Sequence, residues 1–267
     1  MSLTIVSTPI GRASDVTLFA IEVVKESDLV IGEERKVLIE FLRQHDLTGR
    51  PIELLNEHSD SQDLQFLLKQ CEEKNVALVS DCGTPGFCDP GADLVWLCRQ
   101  KNIPVRVAPG ASSLMAFLAG CGRRLDQFYF RGFLSGKKEQ REDDLQQISQ
   151  FLGPVILMDT PYRLERLVEE LGDILGHRPI CLGINLTSEQ ERFFYGSARS
   201  ILSSIKGMKA EFVLLVEAEV ENVRMPKKTS LANDRHIKKG IGKNASRRPL
   251  KKLDTRKSSV QSKKRAK

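Results

Sequence analysis

Apolar runs of strand length alternate with amphipathic stretches of helix length almost from the first residue. "LTIVS" (3–7) is followed by the turn "TPIGRASD" and then by "VTLFAIEVVKES", where Val16, Phe19, Ala20, Val23 and Val24 fall at helical spacing and Asp15 is placed to cap. The alternation continues with a strand at "DLVIG" (28–32), a helix from about Lys36 to His45, a strand near "PIELL", a helix from Asp60 to Lys74 and a strand at "VALVS" (76–80). Beyond it, "ADLVWLCRQKN" reads as helical, "IPVRVA" as extended, "SSLMAFLAGC" as helical and "FYFRGF" as extended. This order predicts a mostly parallel sheet covered by helices.

The charged segment "LSGKKEQREDDLQQ" (134–147) carries no strand pattern, and the domain junction is expected just before it. A second series then runs as a helix to Phe151, a strand "PVILM" (154–158), a helix from about Arg163 to Leu175, a strand "PICLGI", a loop "NLTSEQERFFYG", a short helix from Ala198 and a strand "EFVLLVEA" (211–218). The fold class is α/β, with an N-terminal α/β domain over residues 1–132, a C-terminal α/β domain over 133–223 and a tail over 224–267.

Charge sets that tail apart. Residues 224–267 hold 17 lysines and arginines against two acids, whereas residues 1–223 hold 24 against 33, so an acidic body carries a strongly basic extension. With almost no large apolar side chains to offset the entropy of ordering, the extension is expected to be disordered in isolation, and phosphate backbones are its natural counter-ion. The six cysteines form no CxxC pair and the four histidines are far apart in sequence, so no metal site is expected. No run approaches the roughly 18 apolar residues of a membrane span, and "MSLTIVSTPIG" lacks signal-peptide character; no membrane partner is expected and the expected location is cytoplasmic.

Three strand-end loops combine Pro and Gly: "STPIG" (7–11), "DCGTPGFCDPG" (81–91) and "APGASS" (108–113). Glycine lets backbone approach a ligand and proline stiffens the turn, so these loops can present amides and carbonyls as a preformed surface beyond the carboxyl ends of the strands. Familiar alternatives do not fit. "GFLSGKKE" (132–139) has the wrong glycine spacing for a P-loop and Lys138 where a hydroxyl belongs, and neither a GxGxxG nor a GxSxG motif is present. The ligand suggested is one held by backbone and small side chains, without phosphate clamps or metal.

"STPIGRASDVTLFAI", "VALVSDCGTPGFCDPG", "VAPGASSLMAFLAGCG" and "FYFRGFL" resemble, in order and spacing, segments of the tetrapyrrole (corrin and porphyrin) methylase superfamily. They are most similar to its branch that methylates a cytidine ribose 2′-hydroxyl in small-subunit ribosomal RNA. Over residues 3 to about 219 the resemblance implies two α/β domains with S-adenosylmethionine in the cleft between them, and a homodimer. Position by position it implies cofactor contacts from Pro9, Gly83, Thr84, Pro85, Phe87, Ser112, Ser113, Asp159 and Leu186.

The substrate loops depart further from that branch. "GEERK" (32–36) displaces an expected acidic-Thr-Arg run, "DTPYR" (159–163) retains Arg163, and "GINLTSEQERFFYG" lacks an Arg-Glu pair before Leu186. Glu33, Asp81 and Asp159 are candidates by loop position for a general base, and Arg123, Arg124 and Arg163 for contact with RNA phosphate. Partners implied are the small ribosomal subunit or its RNA. A small-molecule methylase of the same superfamily and a non-catalytic RNA-binding relative remain as alternative readings.

Overall fold

Five short parallel strands make the first sheet: β1 (Ser2–Val6), β2 (Leu29–Gly32), β3 (Ile52–Leu54), β4 (Asn75–Val79) and β5 (Val105–Ala108), in the order β3-β2-β4-β1-β5. They belong to a computed structural model that describes residues 1–87 and 91–219. β2 is buried at every position because helices cover both faces of a parallel sheet. The period-two alternation sends Leu3, Ile31, Val76 and Leu78 to a core completed by α3 (Ser61–Glu73) and α4 (Ala92–Gln100). Val6, Val30, Ala77 and Val79 turn to the opposite core, completed by α1 (Leu18–Glu26) and α2 (Arg35–Gln44).

The α1 cap differs from expectation. Thr17 holds the extended cap conformation and accepts from the Ala20 amide at 3.1 Å, while Asp15 sits earlier, in a short 3-10 turn. At α3 the expected start holds, with Asp60 and Asp63 forming a capping box.

The second sheet contains β6 (Tyr129–Gly132), β7 (Val155–Asp159), β8 (Pro179–Ile184), β9 (Arg192–Ser197) and β10 (Phe212–Val216), ordered β6-β7-β10-β8-β9. Only β6 and β7 are parallel; the other three pairings are antiparallel. The final strand returns between β7 and β8, and alternation along a sequence does not specify strand direction. β9 overlaps the segment read as a loop; it is a half-exposed edge strand whose short aromatic run, Phe193 to Tyr195, lies between polar residues and a glycine.

β6 pairs with β7, so the chain crosses to the second sheet between α5 (Ser113–Gly120) and Tyr129. Met1–Glu221 nevertheless forms one compact unit. On one face of the second sheet lie α6 (Lys138–Gln150), α7 (Leu164–Ile174) and α8 (Ala198–Ile205). On the other lies α5, whose Phe117 and Cys121 are buried against Ile156, Cys181, Val213 and Leu215. α5 thus follows directly from the first sheet and packs on the second. The basic segment 224–267, and with it the expectation about its order, lies outside the described residues.

Candidate functional site

The loops that follow β1, β4 and β5 are tied into one floor. Thr8 and Gly83 exchange backbone hydrogen bonds, with the Thr8 amide donating at 2.8 Å and the Gly83 amide at 3.2 Å. Gly83 does so at φ +83, a conformation that a side chain would strain. The Thr84 hydroxyl donates to the Ala111 carbonyl at 3.1 Å, which leaves Ser7 as the donor in the 2.8 Å Ser7–Thr84 hydroxyl contact. One threonine side chain therefore links all three loops. Ser112 caps α5 by accepting from the Met115 amide.

The opposite wall comes from the second sheet: Met158 at the end of β7, Glu211 to Val213 at the start of β10, and Leu186 in the turn after β8. That turn comes very close to the loop after β1. A Cβ added at Gly11 would stand 2.6 Å from the Leu186 carbonyl oxygen, so only glycine fits. The turn itself is strained, with Asn185 at φ +48 and Thr187 at φ +65, and a β-branched residue in that region is an outlier that its surroundings must enforce.

Floor and wall enclose a cavity of about 550 Å³. Of the residues expected at the cofactor, Gly83, Thr84, Phe87, Ser112, Ser113 and Leu186 line it. Pro9 and Pro85 are not part of the lining, whereas their neighbours Ile10 and Thr84 are. Asp159 does not reach the cavity. Its carboxylate is fully buried and bonded to Arg141 at 3.2 Å, Arg163 at 3.4 Å and the Thr160 amide at 2.8 Å; Met158 lines the cavity in its place.

Neither Glu33 nor Asp81 lines the cavity. Burial pushes the Asp81 carboxyl up, while the hydrogen bond it accepts from the Glu34 amide at 3.0 Å opposes that shift. That bond ties the end of β4 to the loop after β2. Arg123 pairs with Glu217 at 2.8 Å and stacks over Tyr195, and Arg124 pairs with Asp126 at 3.2 Å. Those two and Arg163 are apart from the lining.

Sequence reasoning missed Ser7, Ile10, Phe133 and Glu211. The first two are adjacent to a recognised turn; Phe133 and Glu211 are brought in only by the pairing of the second sheet. Among the described residues no lysine or arginine lines the cavity, and Glu211 is its one charged side chain. Its carboxylate has no ion-pair or hydrogen-bond partner among those residues, and burial raises it above the ordinary carboxylate range. The site suits a compact, phosphate-free ligand with positive character.

Comparison with known proteins agrees with this arrangement. The profile of the family described as Tetrapyrrole (Corrin/Porphyrin) Methylases matches residues 2–202. A protein of Leptospira biflexa called Ribosomal RNA small subunit methyltransferase I is 32% identical over 223 residues, covering 83% of this chain and 93% of its own. A protein of the same name from Synechocystis is 34% identical over 217 residues, covering 80% of this chain and 78% of its own. Among solved structures, uroporphyrin-III C-methyl transferase from Thermus thermophilus, complexed with S-adenyl homocysteine, aligns with a TM-score of 0.58 at 17% identity, covering 81% of this chain and 97% of that one. A profile match across most of the chain, joined to relatives of this identity and coverage, makes the chain a member of the tetrapyrrole (corrin/porphyrin) methylase family.

Proposed function

We propose that this protein is an S-adenosylmethionine-dependent methyltransferase that methylates the 2′-hydroxyl of a cytidine ribose in small-subunit ribosomal RNA. The observation that carries the reading is a cavity floored by three interlocked loops and lined, among the described residues, by no lysine or arginine, in a chain whose relatives bear a ribosomal RNA methyltransferase name. Its volume of about 550 Å³ falls within the usual range for a small-molecule site. The lining fits the donor: backbone groups around Gly83 and the hydroxyls of Thr84, Ser112 and Ser113 for its polar ends, and Leu114, Met115 and Leu186 for a flat apolar face. Pro9, Pro85 and Asp159 act from behind, holding the loops and the end of β7.

When bound, S-adenosylmethionine supplies an electrophilic methyl group on a sulfonium. What the chain provides is alignment and dryness. The Ser7–Thr84–Ala111 linkage fixes the floor before the ligand arrives, so little ordering is left to be done on binding. Phe87, Phe133 and Phe212 border the cavity and supply apolar surface that a bound donor would cover.

Affinity for the acceptor comes from outside the cavity, through Arg123, Arg124, Arg163 and the basic segment 224–267 against RNA phosphate. The protein acts in the cytoplasm as a homodimer, an assembly that sedimentation would test. Labelled methyl transfer to small subunits lacking the modification tests the activity: the expected product is a 2′-O-methylcytidine. Transfer to a tetrapyrrole but not to subunits would replace the reading, and no calorimetric binding of S-adenosylhomocysteine to folded protein would end it.

A further inference from the structure

Two hollows meet at a single acidic side chain. The cavity adjoins a recess of about 390 Å³, walled by the turn after β8 through Asn185, Ser188, Glu189 and Gln190, with Ile10 and Gly11 facing them. Among the described residues, Ile10 and Glu211 border both hollows. Their linings differ in kind: the cavity is largely apolar, whereas the recess presents amide, hydroxyl and carboxylate groups around one apolar side chain, Ile10.

Backbone geometry sets Glu211 at this junction. It directly precedes β10, the middle strand of the second sheet, and its carbonyl accepts from the Asn185 amide at 2.8 Å, which locks it to the recess turn. The carboxylates of Asp144 and Asp159 in the same lobe are buried and held by arginines, whereas Glu211 is open to solvent at the junction and has no partner among the described residues. The turn holds a second unspent group: Thr187 keeps its left-handed backbone, and its buried hydroxyl has no partner either. Strain and an unsatisfied polar group in one turn are features that ligand sites retain.

We infer that the recess seats the acceptor nucleoside and that Glu211 takes the proton of the acceptor hydroxyl during transfer. The inference rests on the methyl-transfer reading above. Amide and carboxylate groups match the edge of a neutral base, and a carboxylate accepts from an exocyclic amine such as that of cytosine. Among the described residues no lysine or arginine lines the recess, which leaves the phosphate backbone outside it. In the step itself the acceptor oxygen bonds the methyl carbon, the carbon–sulfur bond breaks with its electron pair returning to sulfur, and the hydroxyl proton passes to the Glu211 carboxylate and then to water. Partial desolvation raises this carboxyl, which makes it a stronger base than a fully solvated one. Glu189 across the recess and the Cys82 thiol across the cavity are the titratable groups that face it; Ile10, Gly11, Phe212 and Val213 bring none.

The test compares wild type with Glu211→Gln, using full-length protein and undermethylated small subunits. Calorimetric titration with S-adenosylhomocysteine shows that the variant is folded and has an intact donor cavity, and filter binding shows that it still holds subunits. The single-turnover rate of Glu211→Gln, measured with donor and subunits both saturating, is expected to fall on the order of 10²-fold or more. The wild-type rate should rise with pH through a limb above the ordinary glutamate range, and that limb should be missing from the variant. Free protein with ¹³C-labelled glutamate carboxyls should show a carboxyl titrating in the same range that Glu211→Gln lacks. An unchanged rate and pH profile in Glu211→Gln, or no such carboxyl in the wild type, overturns the inference while the methyl-transfer reading stands. A wild type that transfers no methyl overturns that reading and the inference with it.

Discussion

Single side chains decide whether the floor of the cavity is rigid and whether the lobe behind it stays folded. Thr84→Val removes the hydroxyl shared by Ser7 and Ala111 and leaves both without their bond. A loss of about 1–2 kcal/mol of stability is expected, with S-adenosylhomocysteine affinity falling roughly tenfold; unchanged affinity by calorimetry would remove Thr84 from the site. Asp144 is a different case. Burial alone would push its carboxyl up, but the Ser135 amide and the Arg131 guanidinium at 2.6 Å outweigh it and hold the carboxyl below the usual range. A depressed folded value contributes stability that is present above the unfolded pKa of about 3.9 and lost as pH falls through the folded one. Asp144→Asn should therefore cost about 2–3 kcal/mol at neutral pH and flatten the acid limb of a denaturation series. The loop of Gly83 and Thr84 stood out in the sequence because glycines and a proline follow an apolar run, and the resemblance to the family singled out the two residues that line the cavity. Glu211 did not stand out, since a glutamate before a strand looks the same whether it faces water or a cavity.

Helices were legible and strand partners were not. α7 buries Leu164, Leu167, Val168 and Leu171, the spacing of one helical face, and such local periodicity survives in any fold. β6 and β9 depended on partners far along the chain: β6 joins the second sheet through Val155 and Ile156, and β9 forms through its antiparallel pairing with β8. The seam between the two sheets rests on α5 against β8, where a Cβ at Gly183 would lie 2.9 Å from the Phe117 ring and 3.0 Å from that of Phe193. Gly183→Val should cost about 1–3 kcal/mol by overpacking, read as a lower urea midpoint. Gly11→Ala meets the Leu186 carbonyl instead. Because it forces two loops apart without entering a core, it is expected to weaken donor binding more than it lowers the midpoint; the reverse order would place Gly11 in the folding core.

For the whole molecule, the division of charge predicts a division of labour. An acidic body over residues 1–223 and a basic segment over 224–267 should separate donor binding from RNA binding. Deleting 224–267 is expected to weaken subunit binding and to reduce its dependence on salt, because fewer counter-ions are released, while S-adenosylhomocysteine affinity stays as it was. Equal loss of both would join the segment to the cavity. The sequence by itself determined the alternation of strands and helices, the three rigid loops and the charge asymmetry, since each is a property of neighbouring residues. The tertiary structure alone decided that α5 leaves the first sheet to pack on the second, that β10 returns antiparallel between β7 and β8, and that Asp159 is paired while Glu211 is left without a partner among the described residues. Those outcomes depend on which distant segments share a surface and which charges lose their water together, and a linear pattern carries neither.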